Sequence, residues 1–274
     1  MRNADAIAAL EEKMRREAQE QAEEEAERAR MMQPHQNKVQ RAVPPPLPPE
    51  EISLSAVIMA HPSRANQVAS IQAALDRPVP VVWDQVNNRW DTGRRAMLAY
   101  DPACSYHVVI QDDLLIPRDL LAGLERALAY VPRNVPVAGY IGRVRPARDL
   151  ILDTVTLARR CNASWVTTRC LYWGPLICVP TDCIKEMVTF CDRIVDIANY
   201  DLRISRYFEE LGIRTWSTWP SIVDHDDGPS LVPGRSGADR TRPGGTNRIA
   251  HDFCGTQTSV LDLDWSGLIV DSNI

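Results

Sequence analysis

A chain of 274 residues, with 31 Lys+Arg against 36 Asp+Glu and a formal charge of −5 at pH 7, has room for one large domain or two small ones around a buried core. The acidic balance argues against a general nucleic-acid binder, which carries a clear basic excess. Every apolar stretch is far shorter than the roughly 20 residues that span a bilayer. The Glu/Arg/Ala-rich N-terminus lacks an apolar signal region, so a cytoplasmic protein with no membrane partner is expected.

Residues 1–43 read as a charged helical extension. Through about Met32 the segment is rich in Ala, Glu, Gln and Arg and free of Gly and Pro. Ile7, Leu10 and Met14 fall at helical spacing, and the stripe then thins to Ala18, Ala22 and Ala26. So thin a face suits a solvated helix, or weak self-association into a homo-oligomer, better than a strong coiled coil. Residues 44–51 contain Pro44-Pro45-Pro46-Leu47-Pro48-Pro49, a stiff polyproline linker. A folded domain is expected over 52–226, with a C-terminal loop and tail over 227–274.

Within that domain strands and helices alternate. Leu54–Ala60 predicts a strand, followed by a helix near Gln67–Leu75. Val79–Trp83 predicts a second strand and Thr92–Ala99 a short helix. Tyr106–Ile110 is a third strand that ends in Gln111-Asp112-Asp113. Leu120, Leu121, Leu124 and Leu128 share one face of the next helix, and Val135–Ile141 reads as a further strand. Apolar strands separated by helices predict an α/β fold, a mostly parallel sheet covered on both faces. The seven cysteines (Cys104, Cys161, Cys170, Cys178, Cys183, Cys191 and Cys254) include no Cys-x-x-Cys pair, so reduced structural thiols are expected.

Ligands of such sheets bind beyond the carboxyl ends of the strands. After the first strand come His61-Pro62-Ser63-Arg64, after the second Asp84, and after the third Gln111-Asp112-Asp113. Neither a GxGxxG nor a GxxxxGK[ST] pattern occurs, which disfavours a dinucleotide oxidoreductase and a P-loop kinase. Two carboxylates at a buried strand tip are costly unless paired with cations or hydrogen-bonded. They suit Mg²⁺ or Mn²⁺, which also clamps a diphosphate; an Asx turn with a helix cap is the simpler alternative.

In this order the features resemble a nucleotide-sugar glycosyltransferase of the GT-A (Rossmann-like) fold, similar to glycosyltransferase family 2, and the pattern from HPSR to PSIVDH resembles bacteriophage-encoded members. The resemblance implies that Asp113 holds the metal, with Asp112 meeting the ribose or the metal through water. Gln111 stands where an acid is usual. It further implies a donor site of His61, Pro62, Ser63, Arg64, Asp84, Arg94, Arg95, Asp112, Trp173 and Gly174. In Tyr200-Asp201-Leu202-Arg203-Ile204-Ser205-Arg206, Asp201 takes the place of the catalytic base and Tyr200 replaces an acid. His225, in Ser221-Ile222-Val223-Asp224-His225, corresponds to an additional metal ligand.

Each residue also has a plainer role open to it. Asp201 can cap its helix, His225 can bond Asp224 or Asp226, Arg94 and Arg95 can form a solvated face, and Trp216 and Trp219 can pack in the core. Gly228–Arg248 carries Arg235, Arg240, Arg242 and Arg248, either a loop that closes over a diphosphate or a disordered segment. Val260–Trp265 alternates like an edge strand or a subunit contact.

The activity implied is a metal-dependent, inverting, hexosyltransferase-like transfer from a nucleoside diphosphate sugar, UDP-sugar first, to a hydroxyl of a macromolecule such as a phage virion protein in the host cytoplasm. Three alternatives stand beside it: action on modified bases of phage DNA, nucleotidyl transfer, and a non-catalytic adaptor built on a degenerate transferase domain.

Overall fold

The computed structural model describes residues 39–48, 52–143, 147–226, 231, 248–272 and 274. Among these residues the strands are β1 (Val39–Ala42), β2 (Leu54–Ala60), β3 (Val81–Trp83), β4 (Tyr106–Gln111), β5 (Leu114–Leu115), β6 (Val137–Ala138), β7 (Ala163–Thr168), β8 (Leu176–Pro180), β9 (Thr215–Thr218), β10 (Asp224–His225) and β11 (Leu268–Asp271). The helices of eight or more residues among them are α1 (Ala65–Ala74), α2 (Arg89–Leu98), α3 (Leu120–Leu128), α4 (Arg148–Arg160), α5 (Ile184–Cys191) and α6 (Tyr200–Glu210). None of the helices described is long and apolar enough to cross a membrane.

Nine strands form one sheet in the order β1-β11-β7-β9-β6-β8-β4-β2-β3. β7, β8 and β11 run against the other six, so the sheet is mixed with one dominant direction. This helix-flanked α/β sheet is consistent with the Rossmann-like GT-A class expected. Both faces of the central strands are covered. Val57, Val109, Ile177 and Val179 pack with α2, α5 and α6. Their alternates Ile58, Val108, Ile110 and Cys178 are equally buried, as the two-residue period of a strand requires.

Local chemistry sets the helix starts. The Asn88 side chain accepts from the N–H groups of Trp90 (2.9 Å) and Asp91 (3.1 Å), capping α2. The first turn of α3 is capped from a distance: Asp76 accepts from the N–H groups of Leu121 (3.1 Å) and Ala122 (2.9 Å). The Leu120, Leu121, Leu124 and Leu128 stripe of α3 is then fully buried.

Several expectations are revised. Residues 39–42, at the end of the expected helical extension, form β1, paired antiparallel with β11 and tied to it by Arg41–Asp271 at 2.8 Å. The rest of that extension, and with it the expected oligomer contact, lies outside the described residues. The proline run does not stand clear as a spacer over its described part, because the N–H of Leu47 bonds the carbonyl of Ala129 at 2.7 Å. Val260–Asp262 is a turn of 3₁₀-helix rather than an edge strand. Val260 packs against Gly123 of α3, and Trp265 inserts beside Trp165 at 5.3 Å between ring centroids. The tail's strand is β11, so the sheet extends beyond 52–226 on both sides. The strand expected over Val135–Ile141 shrinks to β6, since beyond it the N–H of Ile141 turns to the Ser221 hydroxyl (2.9 Å). Trp216 and Trp219 are buried, as core residues would be.

His107, wholly buried on β4, is held between the Ser55 hydroxyl on Nδ1 (2.8 Å) and the Ala96 carbonyl on Nε2 (2.9 Å). Burial lowers its pKa to about 4 despite those bonds. The unfolded chain therefore binds a proton near pH 6.5 that the fold refuses, and stability falls as pH drops from there toward 4. Urea unfolding should show His107→Gln losing about 2–3 kcal/mol less than wild type between pH 7 and pH 4.5.

Candidate active site

The register of the parallel strands gathers the candidate residues. Ala60 pairs with Trp83 and Met59 with Gln111, so His61, Asp84 and Asp112 all emerge at one edge of the sheet. β8 runs back beside β4, with Ile110 opposite Leu176, which brings the Trp173–Pro175 loop to the same edge. The N–H of Gln111 bonds the carbonyl of Pro175 at 2.9 Å and fixes that loop. A two-rung ladder, Leu114 opposite His225 and Leu115 opposite Asp224, then delivers His225 next to Asp113. One more bond, from the N–H of Asp226 to the carbonyl of Asp113 (2.8 Å), closes the junction.

Asp112 and Asp113 are both buried, and a single guanidinium nitrogen of Arg64 bridges them, 2.7 Å from Asp112 Oδ1 and 2.8 Å from Asp113 Oδ2. The other oxygen of Asp112 accepts the N–H of His61 at 2.6 Å. Asp112 thus holds the His61–Arg64 turn in place with both oxygens. Asp113 Oδ1 lies 3.3 Å from His225 Nδ1 but forms no hydrogen bond, although it is buried. Burial pushes the Asp112 carboxyl up, only partly offset by the His61 N–H and Arg64. For Asp113 the burial penalty is outweighed by His225, Arg64 and Arg248, and its carboxyl is held well below the usual range.

Among the described residues no group of three or more His, Cys, Asp or Glu side chains is placed to hold a metal ion. A pair of donors does fit one. In an octahedral shell with bonds of about 2.1 Å, neighbouring donors stand about 3 Å apart, close to the 3.3 Å between Asp113 Oδ1 and His225 Nδ1. A carboxylate oxygen beside an imidazole nitrogen suits Mn²⁺ better than Mg²⁺, which takes oxygen donors.

A second group stands at the start of α6. Asp201 lies in its first turn, where the helix dipole favours an anion. Its side chain rests on Gly174 so closely that a Cβ there would come within 2.7 Å of Asp201 Cβ. Beside it the buried Tyr200 hydroxyl donates to the Gly174 carbonyl and accepts from Gln111 Nε2 at 3.3 Å. Burial, with Asp201 and Asp113 nearby, keeps that hydroxyl protonated. The two positions where acids were expected, 111 and 200, are therefore in contact, and their neutral pair ties α6 to the tip of β4 and the 173–175 loop.

The remaining candidates are less convergent. Pro62 and Ser63 are exposed on the turn, where the Ser63 N–H bonds His61 Nδ1 at 3.2 Å. Asp84 accepts the N–H of Val86 (3.1 Å) at the tip of β3. Arg95 stays near it, bonded to the Trp83 carbonyl (3.0 Å) and Asp91 (2.9 Å). Arg94 is turned instead to Asp192 beyond α5, at 3.0 Å. Trp173 is buried and reaches the Asp113–His225 pair through Tyr140, whose ring stands edge-on to Trp173 (6.4 Å) and to His225 (5.2 Å). Tyr140 escaped the sequence reading because an aromatic in an apolar run looks like core. Of the arginines in the 228–248 segment only Arg248 lies among the described residues.

No family model matches this chain, and no curated protein does. Among solved structures, a Drosophila beta-1,4-galactosyltransferase 7 mutant in complex with manganese, UDP-Gal and xylobiose is similar at 11% identity, over 80% of this chain and 93% of that one, with a TM-score of 0.36. Similarity at this level assigns no residue a role.

If the Tyr200 hydroxyl anchors α6, Tyr200→Phe leaves the Gly174 carbonyl and Gln111 amide without it. Urea unfolding should register a loss of about 1–3 kcal/mol.

Proposed function

We propose that the chain is a metal-dependent glycosyltransferase that moves a sugar from a nucleoside diphosphate sugar, UDP-sugar first, to a hydroxyl of a macromolecular acceptor with inversion. The observation that carries this reading is the buried Asp113 Oδ1, without a hydrogen bond and 3.3 Å from His225 Nδ1, at the carboxyl ends of β2, β3 and β4.

Each residue has a task that follows from its place. Asp113 and His225 would hold Mn²⁺ or Mg²⁺, which when bound supplies Lewis-acid stabilisation to the departing diphosphate. Arg64, bonded to Asp113, and Arg248, within electrostatic reach of it, are positive charges that would favour a bound diphosphate. Asp84 and the His61–Arg64 turn, on adjacent parallel strands, form the base-reading edge. Asp201 takes the acceptor hydroxyl proton as that oxygen attacks the anomeric carbon, a general-base role. Gly174 gives Asp201 its seat, and the Tyr200 bonds hold the helix that carries it.

The neutral Gln111–Tyr200 pair supports a second reading, a donor-binding adaptor that does not turn over. Slow hydrolysis of UDP-sugar to UDP and free sugar without acceptor separates the two, because an adaptor releases none.

Calorimetric titration tests the donor site. UDP should bind in the presence of Mn²⁺, and Asp113→Ala should abolish the Mn²⁺-dependent part. Absence of binding by UDP, GDP and other nucleotides under both conditions would overturn the transferase reading. Asp201→Asn should lower the rate of donor hydrolysis or transfer by about 10²–10⁴-fold, while the UDP–Mn²⁺ affinity stays within about threefold, since Asp201 is assigned no part in donor binding. Full activity in that variant would remove Asp201 as the base.

A further inference from the structure

The cation already present at the strand tip is an arginine. Arg64 sits at the end of a 3₁₀ turn, Pro62–Arg64, fastened to β4 by the Asp112 bond to the His61 N–H. Its side chain is 13% exposed, against 8% for Asp112 and 11% for Asp113, so this is a largely desolvated triad. Two adjacent carboxylates in such a place repel each other, and removal from water penalises both. The bridging guanidinium is the compensation. It takes Oδ2 of Asp113 and leaves Oδ1 to face His225.

This has a consequence for any divalent cation that enters beside Asp113 and His225. It meets a carboxylate whose charge is already matched by Arg64, with Arg248 contributing to the same field. Like charges at such separations in a partly dry site repel strongly. A diphosphate arriving with the metal brings several negative charges and reverses that balance. The guanidinium then has a second anion to serve, and its planar fork of N–H donors suits phosphate oxygens as well as carboxylates.

We propose that Arg64 is a resident counter-ion that holds the metal-free site together and opposes binding of a divalent cation on its own, so that metal and diphosphate load together. The inference rests on the metal-site reading of Asp113 and His225 given above and concerns how this chain's own cation regulates that site. Coupling of this kind is reciprocal: the diphosphate strengthens the metal by the same factor as the metal strengthens the diphosphate.

The test is Mn²⁺ binding to the full chain without nucleotide, read from the electron paramagnetic resonance signal of free Mn²⁺, then repeated with saturating UDP. Arg64→Met removes the charge and keeps the length; it should bind Mn²⁺ alone about tenfold or more tighter than wild type. The tightening produced by UDP should shrink by a similar factor. Arg64→Lys retains the charge and should stay within about threefold of wild type. Should Arg64→Met fail to fold, Arg64→Gln, which keeps an N–H donor toward Asp112 without the charge, takes its place, with circular dichroism reporting the fold.

Neutral variants that bind Mn²⁺ no tighter than wild type would overturn the counter-ion role while leaving the metal site standing. Mn²⁺ binding by none of the proteins, with or without UDP, would overturn the metal-site reading and this inference together.

Discussion

Burying Asp112 and Asp113 side by side at the tip of β4 is the constraint around which this end of the sheet is organised. Neither carboxylate has water enough to solvate it, so each must find its charge and hydrogen-bond partners within the protein. Asp112 recruits the turn after β2 through the His61 N–H, and through it the guanidinium of Arg64. Asp113 recruits the far end of the domain core, because His225 reaches it only through the short ladder between β5 and β10. Segments more than a hundred residues apart in the chain are thereby fixed on one pair of side chains. Of the four carboxylate oxygens, Asp113 Oδ1 is buried and faces His225 Nδ1 at 3.3 Å without a hydrogen bond.

The second group works by shape as much as by charge. Gly93 and Gly174 provide the space in which the first turn of α6 sits: a Cβ at Gly93 would come within 2.5 Å of Tyr200 Cβ, and one at Gly174 within 2.7 Å of Asp201 Cβ. Arg203, one turn along, donates to the carbonyls of Ile197 (2.5 Å) and Cys191 (2.9 Å) and lies over the Trp90 ring at 4.8 Å. That buried cation ties α6 to the end of α5 and to α2. The start of α6 is therefore held from several directions, which fixes where Tyr200 and Asp201 stand.

Much of the central sheet was legible because its strands are short apolar runs with polar residues at their tips, as in Leu54–Ala60 and Tyr106–Gln111. The leucine stripe of α3 was equally plain. The outer strands β1, β7 and β11 were not. β7, Ala-Ser-Trp-Val-Thr-Thr, is buried at all six positions, yet its Ser and Thr residues blur the apolar signal. They are accommodated by hydrogen bonds that only the fold supplies, such as Ser164 to the Asp264 carbonyl (2.5 Å) and Thr167 to Asp271 (2.5 Å). β1 is held by partners more than two hundred residues away, the Asp271 carboxylate and the Trp216 ring, which no local pattern displays. In the site, residue types were readable at the strand ends, whereas pairings were not. Arg64 on both aspartates, and Gln111 on Tyr200, follow from register and helix placement rather than spacing.

The Gln111–Tyr200–Gly174 chain also bears on how such a site can change over evolutionary time. The single hydroxyl proton of Tyr200 is committed to the Gly174 carbonyl, and Gln111 supplies the N–H that the phenol oxygen accepts. A lone exchange of Gln111 for Glu would remove that donor and put a carboxylate in competition for the same proton. A lone exchange of Tyr200 for an acid would take the hydroxyl donor from the Gly174 carbonyl and shorten the side chain against Gly93, while the Gln111 amide could still donate to the new carboxylate. Each single step costs this chain a hydrogen bond or a donor, and the joint exchange to two acids would set two carboxylates beside the Gly174 carbonyl with no donor among them. Positions 111 and 200 are therefore constrained together, separated by 89 residues of chain and joined by one hydrogen bond.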